Sequence, residues 1–242
     1  MRTEEDLRPA DQARLPQKSD ALTDLGLTLP IFVIYHLGVV FLPVRNAADP
    51  VTAELNSLAK HSLPMYAVLT LAVGAAFVGV LWTLGQRRSL HLSRFLLIAL
   101  EATLYAVLMR AAGSYVVGSL RLVGGAGGGQ GAFSRVIMSL GAGFYEEIAF
   151  RVGLFGGGAA VIQRLLGKDV RSFIARAIWA VCAACVFSGW HYFGSLGDPW
   201  DAQSFVFRAV CGLTLTAIFA LRGFAPAVWT HAIYDLWVML GG

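Results

Sequence analysis

From Met65 to Gly85 the chain carries no charged side chain, a run long enough to cross about 30 Å of hydrocarbon as a helix. In lipid the backbone must satisfy its own hydrogen bonds, as a helix does. Similar apolar runs recur at about 25–42, 95–118, 133–166, 173–192, 205–221 and 224–240. Only 14% of the residues are charged and 57% are hydrophobic, with a mean hydropathy of +0.64. A soluble domain carries about 25% charged residues. The expected fold is therefore all-α, a polytopic transmembrane helical bundle of about seven to eight spans. It would occupy residues 25–242 as one membrane domain, with N-terminal helices over 25–118 and a functional core over 133–240. Residues 1–24 are polar, mixed in charge and interrupted by Pro9 and Pro16, and are read as a cytoplasmic tail.

The net charge of +4 does not point to nucleic acid, because no basic run with interleaved aromatics is present. In a membrane protein, Lys and Arg mark cytoplasmic loops. The basic residues cluster in the leader (Arg2, Arg8, Arg14, Lys18), around Arg87, Arg88 and Arg94, and from Arg164 to Arg176, whereas residues 194–204 hold none. If 133–166 is one crossing, all the basic loops fall on one side and the N-terminus is cytoplasmic. The small size and this charge pattern suggest a bacterial inner membrane. Cys182, Cys185 and Cys211 lie in apolar stretches and are read as packing residues. The glycine tract from Gly124 to Gly131 lacks the Gly-Lys-Ser/Thr of a phosphate loop and reads as a linker.

Charges inside apolar runs are expensive and usually functional. Glu101 and Arg110, nine residues apart in the third run, fall on opposite faces of a helix and are not expected to pair with each other. The densest charge lies in Phe144-Tyr145-Glu146-Glu147-Ile148-Ala149-Phe150-Arg151. On an α-helix Glu147 and Arg151 are separated by about 40° around the axis and can pair, while Glu146 points about 100° away from Glu147 and is left for another partner. The 133–166 run is too long for one straight crossing, and Gly153 and Gly156-Gly157-Gly158 offer places to bend or break. His191 ends a second run one turn after Phe187. His231 and Asp235, four residues apart, share one face of the last run. His36 is read as a packing or cavity residue.

Three helices thus offer a carboxylate, an imidazole and a His/acid pair to one cavity. Glu146-Glu147-x-x-x-Arg151, Phe187-x-x-x-His191 and His231-x-x-x-Asp235, in this order, resemble the three-motif signature of the CPBP (CAAX protease and bacteriocin-processing) membrane family. The resemblance covers about Phe133 to Leu240; the first half matches only as generic membrane helices. It implies a glutamate-dependent intramembrane endopeptidase. In it Glu146 and His191 activate a water, Glu147 and Arg151 support the site, and His231 donates to an oxyanion. Asp235 departs from the Asn often found at its position. An ionised Asp cannot donate to an oxyanion, so Asp235 is expected to orient His231 and favour its charged form.

No cofactor is implied. Zinc is the nearest alternative, since His191, His231 and the glutamates are ligand types, but no His-Glu-x-x-His is present. Ser195-Leu196-Gly197-Asp198 lacks the first Gly of the presenilin-type Gly-x-Gly-Asp, and Ser188 lacks a rhomboid-type Gly-x-Ser-Gly. A non-proteolytic scaffold or bacteriocin-immunity role is the alternative from another class. The partners implied are membrane lipid and a membrane-associated or lipidated protein: a prenylated C-terminus, a bacteriocin-like leader or a C-terminal sorting tail.

Overall fold

The apolar runs fold as helices that bury some faces against one another and leave others to lipid. The computed structural model describes residues 21–42, 45–59, 62–84, 92–118, 131–194 and 197–241. Among these residues the elements are α1 (Ala21–Val39), α2 (Val51–Leu58), α3 (Leu63–Leu84), α4 (Leu92–Val117), α5 (Ala132–Gly141), a π-helical segment (Ala142–Gly156), α6 (Gly157–Leu166), α7 (Val170–Trp190), α8 (Ala202–Arg222) and α9 (Phe224–Gly241). Five stretches are long and apolar enough to cross a membrane: Leu22–Val39, Leu92–Val117, Ala132–Leu166, Val170–Trp190 and Ala202–Arg222. With α3 and α9 they form an all-helical membrane bundle, and the protein is an integral membrane protein. The polar leader through residue 20, the loop at 86–91, the glycine tract through residue 130 and Ser195-Leu196 lie outside the described residues.

The sequence left 133–166 open between a kinked helix and two short ones. It forms one unbroken helical run of 35 residues, Ala132–Leu166. The accommodation lies in its middle, where i→i+5 hydrogen bonding replaces i→i+4 across Ala142–Gly156. α6 stops at Gly167 and α8 at Gly223, whose φ angles of 79° and 111° favour a residue without a side chain. Asp169 and Asp201 cap the starts of α7 and α8 by accepting from Ser172 N and Ser204 N.

α9 is the helix on which the others converge, packing against α1, α4, α5, the π segment and α8. It contributes Phe224, Val228 and Ala232 to a cluster with Ile31, Tyr35, Ile137 and Phe144. Its other side contributes Ala227, Tyr234 and Val238 to a cluster with Met109, Phe207, Cys211 and Leu215. By contrast α4 and α7 leave Leu96, Leu97, Leu100, Leu104, Phe173, Ile174 and Ile178 uncovered, as lipid-facing surfaces require.

Two ion-bearing positions settle the question of intramembrane charge on α4. Glu101 and Arg110 do not pair with each other. Glu101 accepts from Arg222 Nε at 2.6 Å and from the Tyr105 hydroxyl at 2.8 Å, and the Arg110 guanidinium lies 4.6 Å from the centre of the Trp237 ring. Glu101 finds an ion-pair partner on α8 and Arg110 an aromatic one on α9.

Asp24 was read as the end of the polar leader, but it lies in the first turns of α1 and is 3% exposed. Its Oδ2 accepts the backbone N–H of Phe224 at 2.5 Å, so α1 caps the start of α9. Trp229 Nε1 adds a second tie by donating to the Leu27 carbonyl at 2.9 Å. Asp24→Ala removes a buried cap from the central helix. It is expected to cost about 1–2 kcal/mol, read as a lower unfolding midpoint of the full chain in detergent; an unchanged midpoint would refute the capping role.

Candidate active site

The π segment delivers both carboxylates to the interior. Glu146 and Glu147 are 6% and 0% exposed. A π turn holds more residues than an α turn, so adjacent side chains diverge by less than the 100° expected from the sequence. Both glutamates therefore reach the same side of the run, where α7, α8 and α9 meet it.

Glu147 is enclosed by opposite charge. Its Oε2 lies 3.1 Å from Arg151 Nε, and its Oε1 is 2.7 Å from His231 Nδ1. A carboxylate without water is tolerable only when its charge is met in this way. Arg151 is itself 1% exposed, and its Nη2 donates to the Gly212 carbonyl of α8 at 3.4 Å. Its guanidinium lies 4.1 Å from the centre of the Phe187 ring. That ring also meets His191 edge-on, with centroids 5.0 Å apart, and His231 at 5.8 Å. Phe187 is thus the apolar wall that the charged groups share.

Glu146 has a different environment. Its Oε1 accepts from Asn46 Nδ2 at 2.9 Å. Its Oε2 faces His191 Nε2 at 3.8 Å and His231 Nε2 at 4.0 Å, both longer than a hydrogen bond. Among the described residues this buried oxygen has no hydrogen-bond partner.

The two imidazoles are fixed by their other nitrogens. His191 follows the last residue of α7, and its Nδ1 is 2.9 Å from the Phe187 carbonyl. A carbonyl oxygen only accepts, so Nδ1 carries the proton and Nε2 is turned to Glu146. His231 gives Nδ1–H to Glu147 and turns Nε2 toward Glu146 and toward Asp235, whose Oδ2 is 3.6 Å away. The side chains of His191 and Asp235 are 26% and 18% exposed, against 8% for Glu146 and 5% for His231. His191 and Asp235 are therefore the more exposed members of the group.

Glu146, Glu147, Arg151, His191, His231 and Asp235 are therefore brought together. Asp235 does not stand alone as the orienting group of His231, because Glu147 holds the ring more closely. The sequence reading missed Asn46, which sits in the connection after α1 and was assigned no role. It also missed the network behind the glutamates. His36, 0% exposed, is 2.5 Å from the Tyr145 hydroxyl through Nε2 and 3.2 Å from the Tyr66 hydroxyl through Nδ1. The one available signal was Asn46-x-x-Asp49 immediately after a span that carries a histidine. Among the described residues, no group of three or more His, Cys, Asp or Glu side chains is arranged to hold a metal ion. Cys182 and Cys185 are exposed and Cys211 is buried, all as free thiols.

Residues 129–237 match the family described as type II CAAX prenyl endopeptidase, Rce1-like. The match spans a little under half of the chain and contains Glu146, Glu147, Arg151, His191, His231 and Asp235. No curated protein and no solved structure matches the chain. Residues 129–237, which carry the buried glutamates and both site histidines, are thus similar to the type II CAAX prenyl endopeptidases, and this similarity supports membership of the CAAX protease family.

Proposed function

We propose that the protein is a glutamate-dependent intramembrane endopeptidase in which Glu146 is the general base. The observation that carries this reading is the Oε2 atom of Glu146, buried, without a hydrogen-bond partner among the described residues, and aimed between two imidazole nitrogens. A water held by Glu146 Oε2 and His191 Nε2 lies within reach of both. Glu146 takes a proton from that water as its oxygen attacks the carbonyl carbon of the scissile peptide. The carbonyl π electrons move to its oxygen, forming a tetrahedral oxyanion. His231, charged and held by Glu147, gives its Nε2–H to that oxyanion. The C–N bond then breaks as the proton on Glu146 passes to the leaving nitrogen, leaving a carboxylic acid and an amine.

Glu147 and Arg151 hold His231 and keep the neighbouring charge balanced. Asp235 stands at 3.6 Å from the same imidazole and supports its charged form from the exposed side. The family match supports a membrane-associated protein substrate, and a prenylated C-terminal peptide is the first class to test. Leader peptides and C-terminal sorting tails are the other classes the site would take. We place the protein in a bacterial inner membrane with its N-terminus cytoplasmic, on the distribution of Lys and Arg along the sequence.

The test is cleavage of a reporter panel by the full chain in lipid: a farnesylated C-terminal peptide, a leader peptide and a sorting-tail peptide. Glu146→Gln and His191→Ala are each expected to lower cleavage by about 10²- to 10⁴-fold, the scale of a lost acid–base group. The wild-type rate is expected to survive a strong chelator; loss of cleavage on chelation would replace this mechanism with a metal-dependent one. Full activity in Glu146→Gln would overturn the assignment of the base. Asp235→Asn is expected to keep kcat/KM within about tenfold, because Glu147 still fixes the ring. A well-folded but inactive Asp235→Asn variant would make Asp235 essential instead.

A further inference from the structure

The loop after α1 is tied into the site by a neutral amide. Asn46 Nδ2 donates to Glu146 Oε1 at 2.9 Å, and Asn46 Oδ1 accepts the backbone N–H of Ala48 at 2.8 Å. The amide cannot be turned round, since that would set its oxygen against a carboxylate and its NH2 against a backbone N–H. The loop is itself anchored. Asn46 N donates to the Tyr35 hydroxyl at 3.3 Å, which donates to Asp49 Oδ2 at 2.8 Å. Asp49 Oδ1 accepts from Val51 N at 2.8 Å and Thr52 N at 3.0 Å, and the Thr52 hydroxyl donates to Asp49 Oδ2. Asn46 is 7% exposed and Tyr35 0%, so water does not compete freely for these groups.

We propose that Asn46 is a positioning residue for the reaction: it holds Glu146 Oε1, so that Oε2 alone is presented to His191 and His231 as the proton-accepting oxygen. Without the amide the carboxylate is free to rotate about its last torsion, which has no steep preference. Oε1 and Oε2 would then exchange, and either could turn away from the imidazoles. This inference rests on the assignment of Glu146 as the base. It adds a residue from outside the matched stretch at 129–237.

The charged and titratable groups around Glu146 are Glu147 and Arg151 on its own segment, His191 at the end of α7, Arg208 on α8, and His231 and Asp235 on α9. None of them touches Oε1 as Asn46 does. Asn46→Asp separates the two roles of the side chain. It keeps an oxygen for Ala48 N–H and so keeps the turn, but it withdraws the donor and adds a like charge. Asn46→Ala removes both without adding charge.

The experiment is infrared spectroscopy of the full chain in nanodiscs at one pH, following the carboxylate stretching bands that disappear in Glu146→Gln. The separation of the two stretching bands is expected to change in both Asn46→Ala and Asn46→Asp, because the hydrogen bond to one carboxylate oxygen is lost. With the farnesylated, leader and sorting-tail reporters, kcat is expected to fall about 10- to 100-fold in Asn46→Asp with KM nearly unchanged, the scale of a lost hydrogen bond to a charged group. Equal thermal midpoints for the Asp variant and wild type show that the fold is kept. Carboxylate bands and a kcat both unchanged in Asn46→Asp would reduce Asn46 to a turn residue and overturn the inference. Activity surviving in Glu146→Gln would instead overturn the general-base assignment, and the infrared bands would still decide whether Asn46 holds Glu146.

Discussion

Glu147 has no exposed surface, and the centre of the bundle is arranged around meeting its charge. Withdrawing a carboxylate from water costs several kcal/mol unless opposite charge and hydrogen bonds replace the solvent. Arg151 supplies one partner from the same run and His231 the other from α9. The pairing therefore fixes the register of α9 against the π segment. Gly143 makes the approach possible, because a Cβ there would lie 2.8 Å from the Ala232 backbone nitrogen. Every helix that packs on α9 inherits that register, so the interaction that balances Glu147 also aligns the bundle around it.

Two carboxylates that are neighbours in the chain thus end with opposite environments. Glu147 is met by a guanidinium in an ion pair and by an imidazole in a hydrogen bond. Glu146 receives one neutral amide, and two imidazoles stand off from its second oxygen at 3.8 and 4.0 Å. Pairs of titratable groups with contrasting surroundings are how a site divides structural from chemical work. The π winding contributes to this division. It brings consecutive side chains to one face without forcing them onto one partner.

Much of the site was legible because a charge in an apolar run is conspicuous. Glu146, Glu147, Arg151, His191, His231 and Asp235 all stand against hydrophobic neighbours, and their helical spacings put the pairs on shared faces. The same arithmetic kept Glu101 and Arg110 apart, but its partner Arg222 lies 121 residues along the chain, where spacing says nothing. Asn46 was not legible for the opposite reason. It is a polar residue in a polar connection, and its contact with Glu146 spans 100 residues. Asp24 was hidden by its neighbours, since the acidic and basic residues before it made it look like the end of a solvated leader. The π geometry was invisible too, because hydrophobic periodicity cannot separate a few residues of i→i+5 winding from a bent α-helix.

The first half of the chain is then more than a lipid-facing scaffold for the second. α1 carries a contact of consequence at each end: Asp24 caps the start of α9, and the loop that follows Val39 places Asn46 on Glu146. A helix of 19 residues is about 28 Å long and nearly incompressible along its axis. One rigid element therefore links the helix that carries His231 to the carboxylate that faces it. Tyr35 and His36 extend the link sideways, the first by fixing the loop and the second by holding Tyr145, the residue before Glu146. A shift of α1 would be felt at the cap of α9, in the loop and behind the glutamate at once. The placement of Glu146 is in this sense a property of the whole bundle, even though the proposed catalytic residues come from a stretch of less than half its length.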